Sequence, residues 1–106
     1  MWYKTVRNVN GRYFANYDKR FEYVIGETVT ETVGYDPENT CGTGIHVSGK
    51  SWALEFGKLW DDCALLELEV DDADIFVSSD TDGKVRCSKA KVLREVPKEE
   101  WNTFVS

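Results

Sequence analysis

The clearest structural signal in this chain of 106 residues is the run "CALLELEV", residues 63–70. Its even-numbered positions are all apolar, whereas the odd-numbered ones include Glu67 and Glu69. Successive side chains of a strand point to opposite sides, so strict alternation is typical of a strand with one buried face. The run therefore predicts a half-buried β-strand.

The N-terminal third also has β character. Asn10-Gly11 separates two stretches rich in β-branched and aromatic residues, and predicts a hairpin of residues 2–7 and 12–17, because both turn residues tolerate positive φ. Residues 21–33 continue as extended chain. Residues 34–44 carry turn formers without apolar periodicity and predict a long loop.

Two helices are predicted after that loop. "IHVS" forms a short strand whose Ser48 can cap a helix from Gly49 to Phe56, which Gly57 ends. The run 84–96 returns as one long strand with a break near Ser88. Pro97 suits the first position of a terminal helix "PKEEWNTFV".

Together these elements predict a single globular domain, residues 1–106, of α+β class. We expect a β-rich mixed or antiparallel sheet, or a partly open barrel, with one short central helix and a C-terminal helix. At this length the chain can build one hydrophobic core.

Composition limits the setting. The net charge of −6 argues against a duplex-DNA partner. No apolar run is long enough for a membrane span, and the N-terminus lacks a signal-like stretch. Three widely spaced cysteines indicate reduced thiols, which with the rest predicts a cytoplasmic protein.

The charges fall in two blocks. Residues 61–82 contain nine acids and no Lys or Arg, whereas residues 84–94 contain five basic residues and no acid. If the two strands are neighbours, Glu67 and Glu69 face Arg86 or Lys89 across the sheet. The acids beyond the strand could instead form a negative patch for a basic partner.

The stretch "CGTGIHVSGKSWALEFG", residues 41–57, concentrates the residues that carry chemistry. A Cys₃His zinc set is one possibility, although the close cysteine pair typical of zinc sites is absent. A Cys–His nucleophile is another, without an identifiable orienting group. The simplest interpretation is a tight strand-to-helix corner with an ordinary strand histidine. The zinc set would comprise Cys41, His46, Cys63 and Cys87.

The same corner could handle a nucleotide, because a helix N-terminus binds anions. "GTGIHVS" with its helix loosely resembles a segment of ADP-ribosyltransferases. That resemblance implies an NAD site formed by Arg7, Ser48 and either Glu67 or Glu69.

Three segments taken together resemble a family of uncharacterised phage and prophage domains. They are "YKTVR", "CGTGIHVS…WALEFG" and "LLELEVDDADIFVSSDTDGKVRCSKAKVLREV", with Cys-x-x-Gly-Ile-His-Val and Lys-x-Arg-Cys motifs. The pattern is similar to the C-terminal region of the B protein of the phage rapid-lysis locus. The resemblance covers about residues 3–96 and departs from the family at Asp71-Asp72, where a proline is usual.

This resemblance implies a small phage module that interferes with a host defence process in the cytoplasm of the infected bacterium. Without a catalytic constellation we expect binding, either of a host protein or of a nucleotide-type ligand, and no cofactor. An ADP-ribosyltransferase-like enzyme and a zinc-stapled module are the alternatives, and the oligomeric state is open. The candidate ligand-binding residues are Tyr3, Arg7, Cys41, Gly44, His46, Ser48, Lys50, Trp52 and Arg86.

Overall fold

A computed structural model describes residues 2–16, 20–31, 44–57, 62–78 and 85–101. Within these ranges the chain forms nine strands and one α-helix: β1 (Trp2–Val9), β2 (Arg12–Phe14), β3 (Glu22–Tyr23), β4 (Thr28–Thr30), β5 (Ile45–Val47), α1 (Lys50–Gly57), β6 (Cys63–Glu69), β7 (Ile75–Ser78), β8 (Val85–Cys87) and β9 (Lys89–Glu95). No helix in these ranges has both the length and the apolar character that crossing a membrane requires.

The strands form two sheets in which all pairings are antiparallel. The larger has the order β3-β2-β1-β6-β9-β4 and the smaller β5-β8-β7. The predicted hairpin is confirmed, since Asn10 and Gly11 connect β1 to β2 with φ values of 53° and 83°. Positive φ at both positions is what a type I′ turn requires. The turn sets the register, so that Arg7 lies opposite Phe14 and Val9 opposite Arg12.

The main core lies between the two sheets. The even-numbered residues of β6 enter it, as the alternation predicts, and meet Ile45 and Val47 of β5 and Cys87 of β8. The predicted break near Ser88 is confirmed. At this residue the chain leaves the three-stranded sheet and joins the six-stranded one as β9.

The opposite face of the six-stranded sheet carries the helix, and we call it the helix side. Ala53 of α1 packs there against Leu65 and Val96 in a small second cluster. Tyr3 and Trp101 border this cluster. The helix packs on β1 and β6, the two central strands of the sheet.

The predicted α+β class is wrong in two respects. The described residues are mainly strand, in two antiparallel sheets rather than one mixed sheet or partly open barrel. Where the terminal helix was expected, residues Lys98–Glu100 form only a 3₁₀ turn, and residues 102–106 lie outside the described ranges.

Tertiary contacts explain why the terminal turn does not extend through Trp101 as an α-helix. Pro97 is extended, with ψ of 147°, and the indole N–H of Trp101 donates back to the Val96 carbonyl at 3.0 Å. Arg94 also holds the Glu100 carboxylate through two hydrogen bonds of 3.2 Å. The turn is therefore folded onto β9 by its own side chains.

Candidate binding surface

Where it is described, the strand-to-helix corner makes hydrogen bonds within the fold. The backbones of Tyr3 and Ser48 exchange two hydrogen bonds of 2.8 and 2.9 Å, which join β1 to the end of β5. Gly44, which is buried with φ of 124°, leads into β5, and Cys41 lies outside the described ranges. Ser48 is 2% exposed and its hydroxyl donates to the Gly49 carbonyl at 2.9 Å. The prediction that Ser48 caps the helix is therefore wrong.

Three further predicted ligand residues also lie in or beside α1. Tyr3 packs against the helix-side cluster, and Lys50 Nζ donates to the Glu100 carbonyl. The Lys50 hydrogen bond attaches the terminal turn to the helix. Trp52 is half-buried. Tyr3, Ser48 and Lys50 thus hold elements of the fold together.

His46 and Arg86 form a separate pair. They lie opposite each other on β5 and β8, on the face of the three-stranded sheet that points away from the main core. Arg86 is only 1% exposed. From the core side, Lys4 Nζ donates to the His46 carbonyl at 3.0 Å. This depth leaves the Arg86 guanidinium out of reach of a ligand in solution.

The described members of the predicted zinc set do not meet. His46 lies on the outer face of the three-stranded sheet, Cys87 in the main core and Cys63 on the helix side. No group of three potential metal ligands occurs among the described residues. Burial raises the pKa of the Cys87 thiol to about 11, which favours the inert protonated form.

The predicted NAD-site residues do not share a cleft. Arg7 and Glu67 point to the same side of the sheet, but Arg7 pairs with Cys63, four residues along β6 from Glu67. That spacing is about 13 Å. Glu67 also accepts a hydrogen bond of 2.7 Å from Arg94 Nε. The carboxylate is therefore already neutralised by a neighbouring strand.

The charge blocks do pair across the sheet, with different partners from those expected. Glu67 faces Arg94 and Glu69 faces Lys91, rather than Arg86 or Lys89. At this acidic end of the sheet lies a half-open cleft of about 230 Å³. It is lined by Thr28, Glu69, Asp71, Asp74, Lys89, Ala90 and Lys91. Drug-sized ligands generally occupy pockets of about 300–1,000 Å³, so this cleft is small for a nucleotide.

The opposite end of the sheet presents a different kind of surface. We define the hairpin surface as Arg7, Val9, Arg12, Phe14 and Val24. The register places the first four on the helix side, and its continuation places Val24 beside Arg12. Val9 and Val24 are 38% and 40% exposed. Neighbouring Ile25, in the turn after β3, is 43% exposed. These are the exposed large aliphatic side chains of the described residues.

The two arginines of the hairpin surface differ in their contacts. Arg12 forms a two-pronged ion pair with Glu22, at 3.0 and 2.7 Å, and lies over the Phe14 ring at 5.3 Å. The pair lowers the pKa of Glu22, mainly through the Arg12 hydrogen bonds. Arg7 is half-buried, and no hydrogen bond or ion pair joins its guanidinium to another described residue.

Two buried polar atoms lie next to Arg7 on the helix side. Thr5 is 2% exposed and Asn16 is 7% exposed, and the Asn16 amide donates to the Thr5 carbonyl at 3.0 Å. Thr5 Oγ1 and Asn16 Oδ1 have no hydrogen-bond partner. Buried polar atoms of this kind commonly hold an ordered water.

Sequence reasoning selected Arg7 but missed Arg12, Phe14 and the exposed valines. The signal was present in the Asn-Gly turn, because a two-residue turn fixes which residues of a hairpin lie opposite each other. Reading the register from that turn would have placed Arg7 beside Phe14.

Comparison with known proteins shows a similarity to a phage protein. The chain is 38% identical over 109 aligned residues to a protein of Bacillus phage SPbetaL7 that bears the name Gabija anti-defense 2. The alignment covers 99% of this chain but only 26% of the phage protein. No protein-family model and no solved structure matches the chain.

Proposed function

We propose that this chain acts against a host defence process by binding a protein, in the cytoplasm of a phage-infected bacterium. The observation that carries the proposal is the similarity to Gabija anti-defense 2 along 99% of the chain. The predicted phage setting agrees with it. The finer resemblance to the rapid-lysis B protein stays a prediction.

Because the alignment covers only part of the phage protein, not every property of that protein can be assigned to this chain. The chain corresponds to about a quarter of the phage protein, as 26% of that protein is aligned. We therefore propose that this unit supplies recognition. Any activity that resides in the rest of the relative is not assigned to it.

Geometry favours a protein partner over a nucleotide-type ligand. Tyr3, Ser48 and Lys50 contact other parts of the fold, and Arg86 is buried. The small cleft at the other end is lined by three acids, Glu69, Asp71 and Asp74, against two lysines, Lys89 and Lys91. Its net negative charge disfavours phosphates.

The hairpin surface has the composition of a protein interface. Arginine and aromatic residues are enriched at such interfaces, and exposed aliphatic residues supply area that gains from burial. Val9, Val24 and Ile25 supply that area beside Arg7 and Phe14. We propose this surface as the contact.

A cellular assay tests the function. The chain is expressed in bacteria that carry the Gabija system, and the plating efficiency of a phage that Gabija restricts is measured. We expect restored plaque formation. If plating is unchanged while Gabija anti-defense 2 restores it under matched expression, the proposed function is wrong.

A second assay tests the surface. Val9→Asp and Val24→Asp place charges on the exposed aliphatic part of the hairpin surface, and Thr28→Asp is the matched control at an exposed position of β4. We expect the first two variants, and not the control, to lose plaque restoration and binding to purified Gabija components by calorimetry. Equal behaviour of all three folded variants would move the contact elsewhere.

A further inference from the structure

We infer that the hairpin surface docks an acidic segment of its protein partner, with Arg7 as the anchor that receives a carboxylate. This inference rests on the proposed function and specifies its partner. It follows from how the arginines of the surface are used, and from the exposed aliphatic side chains beside them.

Arg7 as a whole residue is half-buried by the sheet around it. It lies between Phe14 on β2 and Cys63 on β6, and Thr5 precedes it on the same side of β1. Within the described residues it has no acceptor for its five N–H groups. A half-buried arginine has lost part of its hydration, so a carboxylate that binds its planar fork gains more than it would at a fully exposed site.

Arg12 shows that this surface accommodates such a pair. Its guanidinium already holds the Glu22 carboxylate in a two-pronged arrangement above the face of Phe14. Arg7 lies on the other flank of Phe14, one strand further into the sheet. A carboxylate of a partner protein bound at Arg7 would therefore form the same kind of ion pair that Glu22 forms with Arg12 within the chain.

Most described acids of the β6 region lie away from Arg7, although Asp62 borders the hairpin surface, where its carbonyl accepts a hydrogen bond of 2.8 Å from the Asn8 N–H. The acids of the β6 end, Glu69, Asp71 and Asp74, lie at the opposite end of β6 from Cys63 and Arg7. Seven residues of strand separate the two ends by about 20 Å. Screening at physiological salt acts over about 8 Å, so these acids repel a carboxylate at Arg7 only weakly.

The apolar rim makes a protein segment the better occupant than a free anion. Val9 and Val24 flank Arg12, and both are exposed. A free phosphate or nucleotide would leave these aliphatic groups in water. A peptide with acidic and apolar side chains would cover them, which contributes burial energy beside the ion pair.

A titration with defined peptides tests the inference independently of any defence assay. The probe is a fluorescein-labelled peptide of alternating Glu and Leu residues. Controls are the same peptide with Gln in place of Glu, the same peptide with Lys in place of Glu, and ATP. Binding is measured at low salt by anisotropy and mapped by amide chemical shifts in ¹⁵N-labelled protein. We expect the Glu peptide alone to bind, with shifts centred on β1 and β2.

Variants expected to weaken, strengthen or leave unchanged the binding of the Glu peptide make the test specific. Arg7→Ala should weaken binding of the Glu peptide at least about 10-fold, and Arg7→Lys should weaken it less. Glu22→Gln should strengthen it, because the Arg12 fork is then available to the peptide. Lys91→Gln removes one positive charge at the acidic end and should leave it unchanged.

The outcomes separate the inference from the function. No peptide binding, shifts outside the hairpin surface, or an Arg7→Ala variant that binds equally well overturns the inference. Tighter binding of ATP at the same residues also overturns it, in favour of a nucleotide anion. Plaque restoration that survives Arg7→Ala leaves the proposed function intact without this anchor. If the unmodified chain does not restore plaque formation, the proposed function is contradicted, but the peptide-binding inference is not.

Discussion

The two halves of β1 present the same side of the same strand to different surroundings. Tyr3 lies at the edge of the helix-side cluster and Thr5 is buried beside Asn16. Arg7 and Val9 continue the row into the hairpin surface, where one side chain is half-buried and the other exposed. The helix thus covers one half of the strand and leaves the other half accessible to a binding partner. The residue types differ accordingly: the half near the helix has the hydroxyl-bearing Tyr3 and Thr5, and the other half has Arg7 and Val9.

Removing a side chain under the helix should have the largest effect. Leu65 is fully buried between Ala53 and Val96, so Leu65→Ala should lower the free energy of unfolding by about 2–5 kcal/mol. Arg7 lies on the same side of β1, two residues after the buried Thr5. Arg7→Ala should change the free energy of unfolding by less than about 0.5 kcal/mol. Urea unfolding followed by tryptophan fluorescence measures both. Similar losses in the two variants would mean that both halves of the strand are structural.

The hairpin turn offers a second contrast. A methyl group added at Gly11 or at Gly49 would meet no atom within 4 Å, but Gly11 has φ of +83°. Left-handed backbone costs residues other than glycine about 1–2 kcal/mol. Gly11→Ala should therefore lower the free energy of unfolding by about 1 kcal/mol, and Gly49→Ala should not. A neutral Gly11→Ala variant would show that the turn does not hold the register of β1 and β2.

The two sides of β2 should differ in how they respond to alkaline pH. Tyr13 points to the main core and donates a hydrogen bond to Glu95, which, with burial, raises its pKa from 10.0 to about 12. The stabilisation of the folded state by the Tyr13–Glu95 hydrogen bond is complete below pH 10, where Tyr13 is neutral in both the folded and the unfolded chain. It should be lost as pH rises from about 10 to 12.

Absorbance at 295 nm across that range measures the tyrosine ionisation. We expect Tyr13 to ionise near pH 12 rather than 10, and Tyr13→Phe to remove that late step. A wild-type curve in which all tyrosines titrate near their ordinary value would show that the Tyr13–Glu95 bond does not persist in solution.

The sequence signals that succeeded are local and backbone-driven. Alternation along β6, the Asn-Gly turn and the interruption at Ser88 each follow from geometry within a few residues. The terminal helix failed because its outcome depends on distant partners. Trp101 bonds back to Val96, and Arg94 of β9 captures Glu100. Propensity alone contains neither contact.

The site was harder to predict for a related reason. Glycines, a histidine and a serine in one short stretch suggest chemistry, yet the fold uses Ser48 for a strand bridge and keeps His46 on the outer face of the smaller sheet. Arg7 was predicted as part of an NAD site and as a nucleotide-binding residue, not as part of a protein-binding surface. Its relation to Phe14 and Arg12 depends on cross-strand register, which composition does not express.

The smallest expected effect concerns the ion pair of the hairpin surface. Arg12 lowers the pKa of Glu22 below its ordinary 4.5, so the stabilisation is present above pH 4.5 and lost as pH falls through the lowered pKa. Because both side chains are partly exposed, the loss should be slight and should shrink further at high salt.

Glu22→Gln removes this titration and should flatten the acid limb of stability below pH 4.5 relative to the unmodified chain. Acid unfolding of both proteins, followed by circular dichroism at two salt concentrations, measures the difference. An unchanged acid limb would mean that Glu22 spends little time on Arg12. The hairpin surface would then present two available guanidinium groups to an acidic partner, and Glu22→Gln would give no gain in binding the Glu peptide. The acid limb of stability and the peptide titration therefore check the same ion pair by independent measurements.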